Sequence, residues 1–373
     1  MTSQAVTKPL SSLEAECVDH SIGKARIKVL GLGGGGSNAI NRMIELGLTG
    51  VEFIAANTDR QALESSLAAT RLQLGPRVTR GLGAGGDPRI GAAAAMESSA
   101  EIVRALKGAD LVFITAGMGG GTGTGSAPVA AEIARELGIL VVAIVTLPFT
   151  FEMGHRSKNA LTGVRALQPH AHTLITVPND KLLEIAPRDL SLEVAFRLAD
   201  DVLRQGVQGI SELVTRPGLI NVDFAHIRTM MQRGGGSYMA IGMGTGQNKA
   251  EIAIKQALHH PLLDIQNLDD ASGVLAHFTG GEDLTLFEIS EAVTKLRESL
   301  DPEVEVILGA TTDPRMQGRA QAILIVTGVG GRPVAAHSFV STQTQTAVPA
   351  QDAVNTDNLD LPTFLRKRAA IGS

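Results

Sequence analysis

The sequence predicts an α/β protein: a parallel-sheet domain covered by helices on both faces, a long central helix, and a second, smaller α/β domain. Three observations predict it. Short apolar runs rich in Val and Ile alternate with segments of helical spacing through the first half of the chain, as a parallel sheet with crossover helices requires. Glycine makes up 42 of 373 residues, well above the usual ~7%, and 22 of the 42 fall in segments 31–36, 81–91, 117–125 and 234–246. Glycine gathered between apolar runs marks backbone that approaches something closely or takes positive φ. The stretch from Ser191 to Val214 keeps one apolar stripe without a break.

In chain order, RIKVLGLG at 26–33 reads as a buried strand entering a glycine turn, and Asn38 to Leu46 has helical apolar spacing. VEFIAAN at 51–57 is the next strand, and Asp87-Pro88 opens a helix with an N-cap and a proline at its first position. ADLVFITAG at 109–117, ILVVAIVT at 139–146 and HTLITVP at 172–178 continue the sheet. Ligands of such sheets gather at the carboxyl ends of the strands, and the glycine segments before residue 130 are expected there. Leu192, Ala195, Phe196, Ala199, Val202, Leu203, Ile210, Leu213 and Val214 lie on one helical face. Beyond Pro217, strand candidates SYMAIGMG, GVLAHFTG, VEVILGAT and AILIVTG alternate with helices near 249–259 and 284–297. The expected division is a disordered lead at 1–25, a nucleotide-binding domain at 26–190, the central helix at 191–216 and a C-terminal α/β domain at 217–330. Residues 331–358 lack periodicity and read as a disordered linker. LDLPTFLRKR regains Leu, Pro and Phe, so 359–373 reads as a recognition peptide.

Composition excludes several classes. With 33 Lys or Arg against 38 Asp or Glu the net charge is −5, so nucleic acid is not an expected partner. A chain that is 44% apolar and 19% charged is not disordered throughout. The longest apolar run, Ile139 to Val145, falls far short of the ~20 residues that cross a bilayer. No direct membrane insertion is expected. The first residues, MTSQAVTKPLSSLEAECVDHSIGK, are polar and acidic where a secretory signal is continuously apolar, which points to the cytoplasm. Cys17 is the single cysteine, excluding intrachain disulfides and cysteine-based metal sites. His259-His260 lacks a third ligand at metal spacing and reads as a solvated helix end, so no direct side-chain metal ligation is expected.

The glycine segments carry the chemistry. In GLGGGGSN the amides of Gly34, Gly35, Gly36, Ser37 and Asn38, with the dipole of the following helix, can hold an anion. No Gly-Lys-Ser/Thr follows, so this is not a P-loop. GMGGGTGTG offers Gly119, Gly120, Gly121 and Gly123 as further amide donors, with the hydroxyls of Thr122 and Thr124. Two such loops on neighbouring strands suit a polyphosphate better than the pyrophosphate of a dinucleotide. A third loop, with Gly85 and Gly86, is placed to close over a terminal phosphate; its Asp87 is either an N-cap or a ligand to a magnesium-bound water.

These loops, in this order, resemble the tubulin/FtsZ superfamily, and most nearly its FtsZ branch of bacterial cell-division GTPases. The resemblance spans about residues 26–330 and rests on GGGTGTG, NTDRQAL at 57–63, TLPFTFE at 146–152, VPNDKLL at 177–183 and NVDF at 221–224. It implies a Rossmann-like GTPase domain that binds GTP or GDP with Mg2+, with Gly34 to Asn38 and Gly121 to Gly123 on the phosphates and Glu152 and Arg156 on the ribose side. Spacing alone puts Phe196 in the core; the resemblance packs it on the base, with Asp200 reading the base. One carboxylate can accept from both N1–H and the exocyclic amine of guanine, whereas adenine offers an acceptor there. Sites built on such hydrogen bonds discriminate by about 10⁴.

The resemblance also implies self-assembly and hydrolysis between subunits. The family motif is Asn-x-Asp-Phe-x-Asp, whose acids enter the neighbouring subunit's nucleotide site. This chain reads Asn221-Val222-Asp223-Phe224-Ala225-His226, with histidine in place of the second acid. Loss of a positioned base costs about 10²–10⁴ in rate, so slow hydrolysis rising with pH is expected, the alternative being a GTP-binding scaffold with little turnover. Met153 also departs from the family's usual glycine. Phosphate cradle and acid lie in different domains, so head-to-tail stacking into a filament is expected, forming the division ring at mid-cell. Asp360, Leu361, Pro362, Thr363, Phe364, Leu365 and Arg366 resemble the family's terminal peptide, which docks onto membrane tethers and division regulators.

Overall fold

The valine- and isoleucine-rich runs become strands and the periodic segments helices. In the computed structural model the described residues are 25–152, 154–185, 189, 191–215, 220, 223–232, 236–260 and 271–329. Met153, the 331–358 segment and the 359–373 peptide, with Asp360 to Arg366, lie outside them. The first half runs β1 (Ile27–Leu32), α1 (Gly33–Glu45), β2 (Glu52–Asn57), α2 (Arg60–Glu64), β3 (Thr70–Gln73), α3 (Pro88–Glu97), α4 (Ser99–Leu106), β4 (Leu111–Gly117), α5 (Thr122–Glu136), β5 (Leu140–Leu147), α6 (Gly154–Leu167), β6 (Thr173–Pro178) and α7 (Asn179–Ile185). There follow α8 (Leu192–Thr215), α9 (Phe224–Gln232), β7 (Gly236–Thr245), α10 (Lys249–Leu258), β8 (Gly273–Gly280), α11 (Leu286–Glu298), β9 (Glu305–Thr312) and β10 (Arg319–Val329).

Among the described residues, ten strands join one sheet in the order β3-β2-β1-β4-β5-β6-β7-β10-β8-β9. Pairing is parallel from β3 to β7, antiparallel on both sides of β10, and parallel again between β8 and β9. The two halves meet at β6 and β7 through Leu174 with Gly236 and Ile175 with Ser237. Helices cover both faces, as a parallel sheet's unbroken apolar strands demand. On one face Val29, Phe113, Val142 and Ile144 pack with α1, α8 and α9; on the other Leu30, Ile114, Val141 and Val145 pack with the alanine-rich sides of α3, α4 and α5. α8 buries Val202, Leu203, Val207, Ile210 and Leu213 in the same cluster as Leu275, Ile307, Ile323 and Ile325 of the second half. Its stripe therefore ties the halves together beneath the sheet.

Some elements begin or break elsewhere than periodicity predicts. α1 starts at Gly33, five residues before the first periodic side chain, because glycines carry no apolar signal although their backbone can be helical. The helix opened by Asp87-Pro88 ends at Glu97: Ser98 Oγ accepts the Gly75 amide (3.0 Å) and donates to the Gln73 carbonyl (3.3 Å), and α4 sets off anew. The short α2 exists through its cap, Asp59, which accepts from the amides of Gln61 and Ala62.

Candidate functional site

A cleft of about 460 Å³ opens at the carboxyl ends of β1, β4, β5 and β6. It is lined by Gly34, Gly35 and Asn38 of α1, by Gly117 to Thr122 apart from Gly119, by Gly123, by Thr146, Pro148, Glu152, Arg156 and Asn179, and by Phe196, Ala199 and Asp200 of α8. Eleven of the seventeen residues expected on nucleotide thus come together from four separate segments. A second concavity of about 460 Å³ between α2 and β3, lined by Arg60, Arg71 and Arg80 among others, holds none of them.

The floor is built from backbone. α1 and α5 both begin without a side-chain cap, so their first amides and dipole ends are left open toward the cleft, which suits an anion. The loops that start them are pressed together: a Cβ at Gly33 would stand 2.8 Å from the Gly123 nitrogen, and Gly33 has φ +69. Only glycine satisfies both demands. At Gly34 an added Cβ meets no protein atom within 4 Å. The charged side chains on the wall are one arginine and two carboxyls, so attraction for phosphate must come mainly from amides and helix ends.

The remaining expected residues brace this floor or stand beside it. Gly36 and Ser37 are buried behind it. Thr124 Oγ1 accepts the Gly119 amide at 2.8 Å and is itself buried, fixing the loop from below. Gly85 and Gly86 lie on the adjoining loop, where the Asn159 amide donates to the Gly86 carbonyl (3.2 Å) and the Gly119 carbonyl (3.4 Å). Of the two readings of Asp87, the structure shows the N-cap: Oδ1 accepts the Arg89 amide (2.9 Å), and the Arg89 guanidinium reaches Oδ2 at 2.7 Å. That hydrogen-bonded arginine holds the Asp87 carboxyl below its ordinary range.

Opposite the floor, Phe196 is 40% exposed, faces the cleft and sets its ring edge-on to buried Phe149 at 5.5 Å. The apolar stripe alone would have hidden it. One turn on, burial pushes the Asp200 carboxyl up to about 7, against an opposing pull from Arg42. Glu152 accepts the Phe149 amide (2.9 Å) and pairs with Arg156 at 2.5 Å. Asn179, not singled out from the sequence, lines the cleft at 5% exposure with its Oδ1 buried and unpartnered. Its position just past the strand run TLITVP was the available signal.

Comparison with known proteins gives the architecture a family. A model of the Tubulin/FtsZ family GTPase domain matches residues 26–187, and one of the FtsZ family C-terminal domain matches 235–330. The chain is 46% identical over 362 residues to the cell division protein FtsZ of Pseudomonas aeruginosa, covering 95% of this chain and 92% of that one. The chain belongs to the tubulin/FtsZ family. Among solved structures, an empty FtsZ dimer from M. jannaschii superposes with TM-score 0.79 at 46% identity, over 83% of this chain and 89% of that one. The GDP-bound CetZ1 monomer of Haloferax volcanii matches at TM-score 0.70 and 21% identity, over 83% of this chain and 96% of that one, sharing the fold.

As a member of the family the chain is a GTPase that binds GTP and GDP. The cleft fits such a nucleotide: open helix starts that suit phosphates, an exposed aromatic face, the Asp200 carboxyl and a buried, unpartnered acceptor in Asn179 Oδ1. Among the described residues no group of three or more His, Cys, Asp or Glu could hold a metal ion, and no helix is long and apolar enough to cross a membrane.

The Asp223 and His226 pair is not in the cleft. Asp223 starts α9, its Oδ1 accepting the Ala225 amide at 3.1 Å. Arg228 of α9 donates to the Gly138 carbonyl just before β5 (3.0 Å), and Thr173 at the start of β6 donates to the Met231 carbonyl (3.1 Å). α9 therefore sits at the amino ends of β5 and β6, while the cleft is at their carboxyl ends. β5 has 8 residues, so about 26 Å of strand separates the two.

Proposed function

We propose that this chain polymerises head to tail and hydrolyses GTP at the junction of stacked subunits, serving as the cytoskeletal element of a bacterial division ring at mid-cell. One observation carries the reading: nucleotide cleft and acid pair occupy opposite ends of the same sheet, so neither chain alone completes a reaction centre. Stacking brings the α9 end of one subunit over the cleft of the next. Such a contact is heterologous and does not close, so it propagates as a filament. The similar proteins of known name, a cell division protein and an FtsZ dimer, are consistent with that assembly.

In this reading residues 26–190 form the nucleotide domain, 191–216 the central helix and 217–330 the domain that presents Asp223. The amides of Gly34, Gly35, Gly120, Gly121 and Gly123 hold the phosphates, with charge developing in the transition state met by the α1 and α5 dipoles. Gly36, Ser37, Asn38, Gly119 and Thr124 keep those amides in place, Thr122 adds a hydroxyl, and the Gly85-Gly86 loop closes over the terminal phosphate. Glu152, Arg156 and Asn179 serve the ribose side; Phe196 packs on guanine and Asp200 accepts its two donors. Mg2+, when bound, would add charge neutralisation at the phosphates that these amides hold. Asp223 and His226 reach the neighbour's nucleotide and orient the attacking water. The peptide with Asp360, Leu361, Pro362, Phe364, Leu365 and Arg366 recruits division regulators and membrane tethers.

Phosphate release per chain should rise with chain concentration and vanish at high dilution, in parallel with sedimentation of polymer. Equal turnover by dilute, unassembled chains would contradict the shared site. A second reading is favoured by His226: a GTP-binding scaffold with little hydrolysis, which would sediment with GTP yet release phosphate no faster than a blank.

A further inference from the structure

His226 does not stand alone at the α9 end. Its Nε2 shares a hydrogen bond with Oε1 of Glu305, the first residue of β9, 79 positions further along the chain. The imidazole is 57% exposed while the carboxylate is 27% exposed, so the ring faces outward with Glu305 behind it. Among the described residues Nδ1 has no hydrogen-bond partner. An ionised carboxylate can only accept, so in the neutral ring the proton resides on Nε2 and Nδ1 keeps its lone pair. An imidazole oriented and tautomerically fixed by a carboxylate is a recurrent general base.

We infer that Glu305 is a positioning residue for His226, and that the two together take the place of the single acid expected at position 226. The inference rests on the two-subunit reading above. In the step it serves, the water oxygen bonds to the terminal phosphorus of the neighbour's GTP as the bond from that phosphorus to the bridging oxygen breaks. The departing electron pair leaves on the diphosphate, and the water proton passes to Nδ1 of His226. Glu305 touches neither water nor phosphate; it holds the ring and stabilises the imidazolium that forms. The second reading, a scaffold with little turnover, is thereby disfavoured, because the missing acid is supplied from another strand.

The test uses full-length Glu305→Ala, Glu305→Gln, His226→Asp and the His226→Asp/Glu305→Ala double variant. Sedimentation with a slowly hydrolysed GTP analogue should be the same for all, showing that fold and assembly survive. Phosphate release per assembled subunit should fall at least about tenfold in Glu305→Ala, less than the 10²–10⁴ that losing the base itself would cost. Glu305→Gln, whose carbonyl still accepts from Nε2–H, should lose less. In the His226→Asp background removal of Glu305 should have no effect, since aspartate needs no such partner. Nitrogen-15 spectra of His226 should show the Nε2–H tautomer in the wild type and a mixture in Glu305→Ala. An unchanged rate in Glu305→Ala, or an equal loss in both backgrounds, overturns the assignment. If instead Asp223→Ala hydrolyses normally at every concentration, the two-subunit reading itself fails and takes this inference with it.

Discussion

In the proposed reading, Asp200 would turn burial into base specificity. It sits on α8 facing the cleft, and burial raises its carboxyl to about 7 from 3.8. A raised carboxyl favours the folded, empty chain below about pH 3.8, and that support is lost as pH rises through 7. Guanine, which donates twice to the ionised form, relieves the strain of keeping that charge. Affinity for GDP should therefore weaken as pH drops below about 7, approaching tenfold per unit at the limit. Asp200→Asn should flatten that slope in calorimetric titrations and cost about 1.5–3 kcal/mol in guanine binding, the worth of a hydrogen bond to a charged group. Its amide, one donor beside one acceptor, matches the N1–H and O2 of xanthine, so the variant should prefer xanthosine diphosphate. Undiminished binding of GDP would remove Asp200 from base recognition.

At the scale of elements, the floor of the cleft depends on two helices started by glycine rather than by a capping side chain. Two neighbouring glycines there are needed for different reasons. Gly33 is confined, at φ +69 and with its would-be Cβ 2.8 Å from the Gly123 nitrogen, whereas Gly34 has open space. Gly33→Ala should destabilise the empty chain by more than about 1 kcal/mol, since strained φ and overpacking each cost about that much. Gly34→Ala should leave the empty chain's stability within about 0.5 kcal/mol yet weaken nucleotide binding at least tenfold, because its methyl takes space beside the phosphates. Thermal melts with and without GDP separate the two; equal destabilisation by both would mean that Gly34 is also packed.

For the molecule as a whole, the decisive fact is the length of the sheet. α8, with 24 residues, is about 36 Å long and begins beside the cleft. The strands and this helix act as a spacer that keeps cradle and acid apart. Mixing should therefore rescue what each variant lacks. Asp200→Asn keeps its acid and Asp223→Ala keeps its cleft, so an equal mixture forms about one competent junction in four. Phosphate release by the mixture, with near silence from either variant alone, is the expected outcome. A silent mixture would mean that each chain finishes its own site.

Much of this was legible in the residue string. Strands such as ILVVAIVT and the stripe of α8 are local consequences of apolar periodicity, and glycine clusters mark close backbone approach whatever the fold. The loops could likewise be read as anion cradles, because backbone amides at a helix start need no distant partner. Other features depend on residues far apart in the chain. Phe196 is coloured apolar in any pattern, and only its place beside Phe149 at the cleft mouth turns it outward. Nothing in the local pattern marks Asn179 beyond its place after a strand run; its Oδ1 is buried and unpartnered only once β6 and the cleft are in place. The break at Ser98 follows from contacts with Gly75 and Gln73. Most of all, His226 read as a lost acid while its carboxylate lay 79 residues ahead. Periodicity and propensity act over a few neighbouring residues; distance, burial and pairing are properties of chain segments that meet only when the sheet has closed.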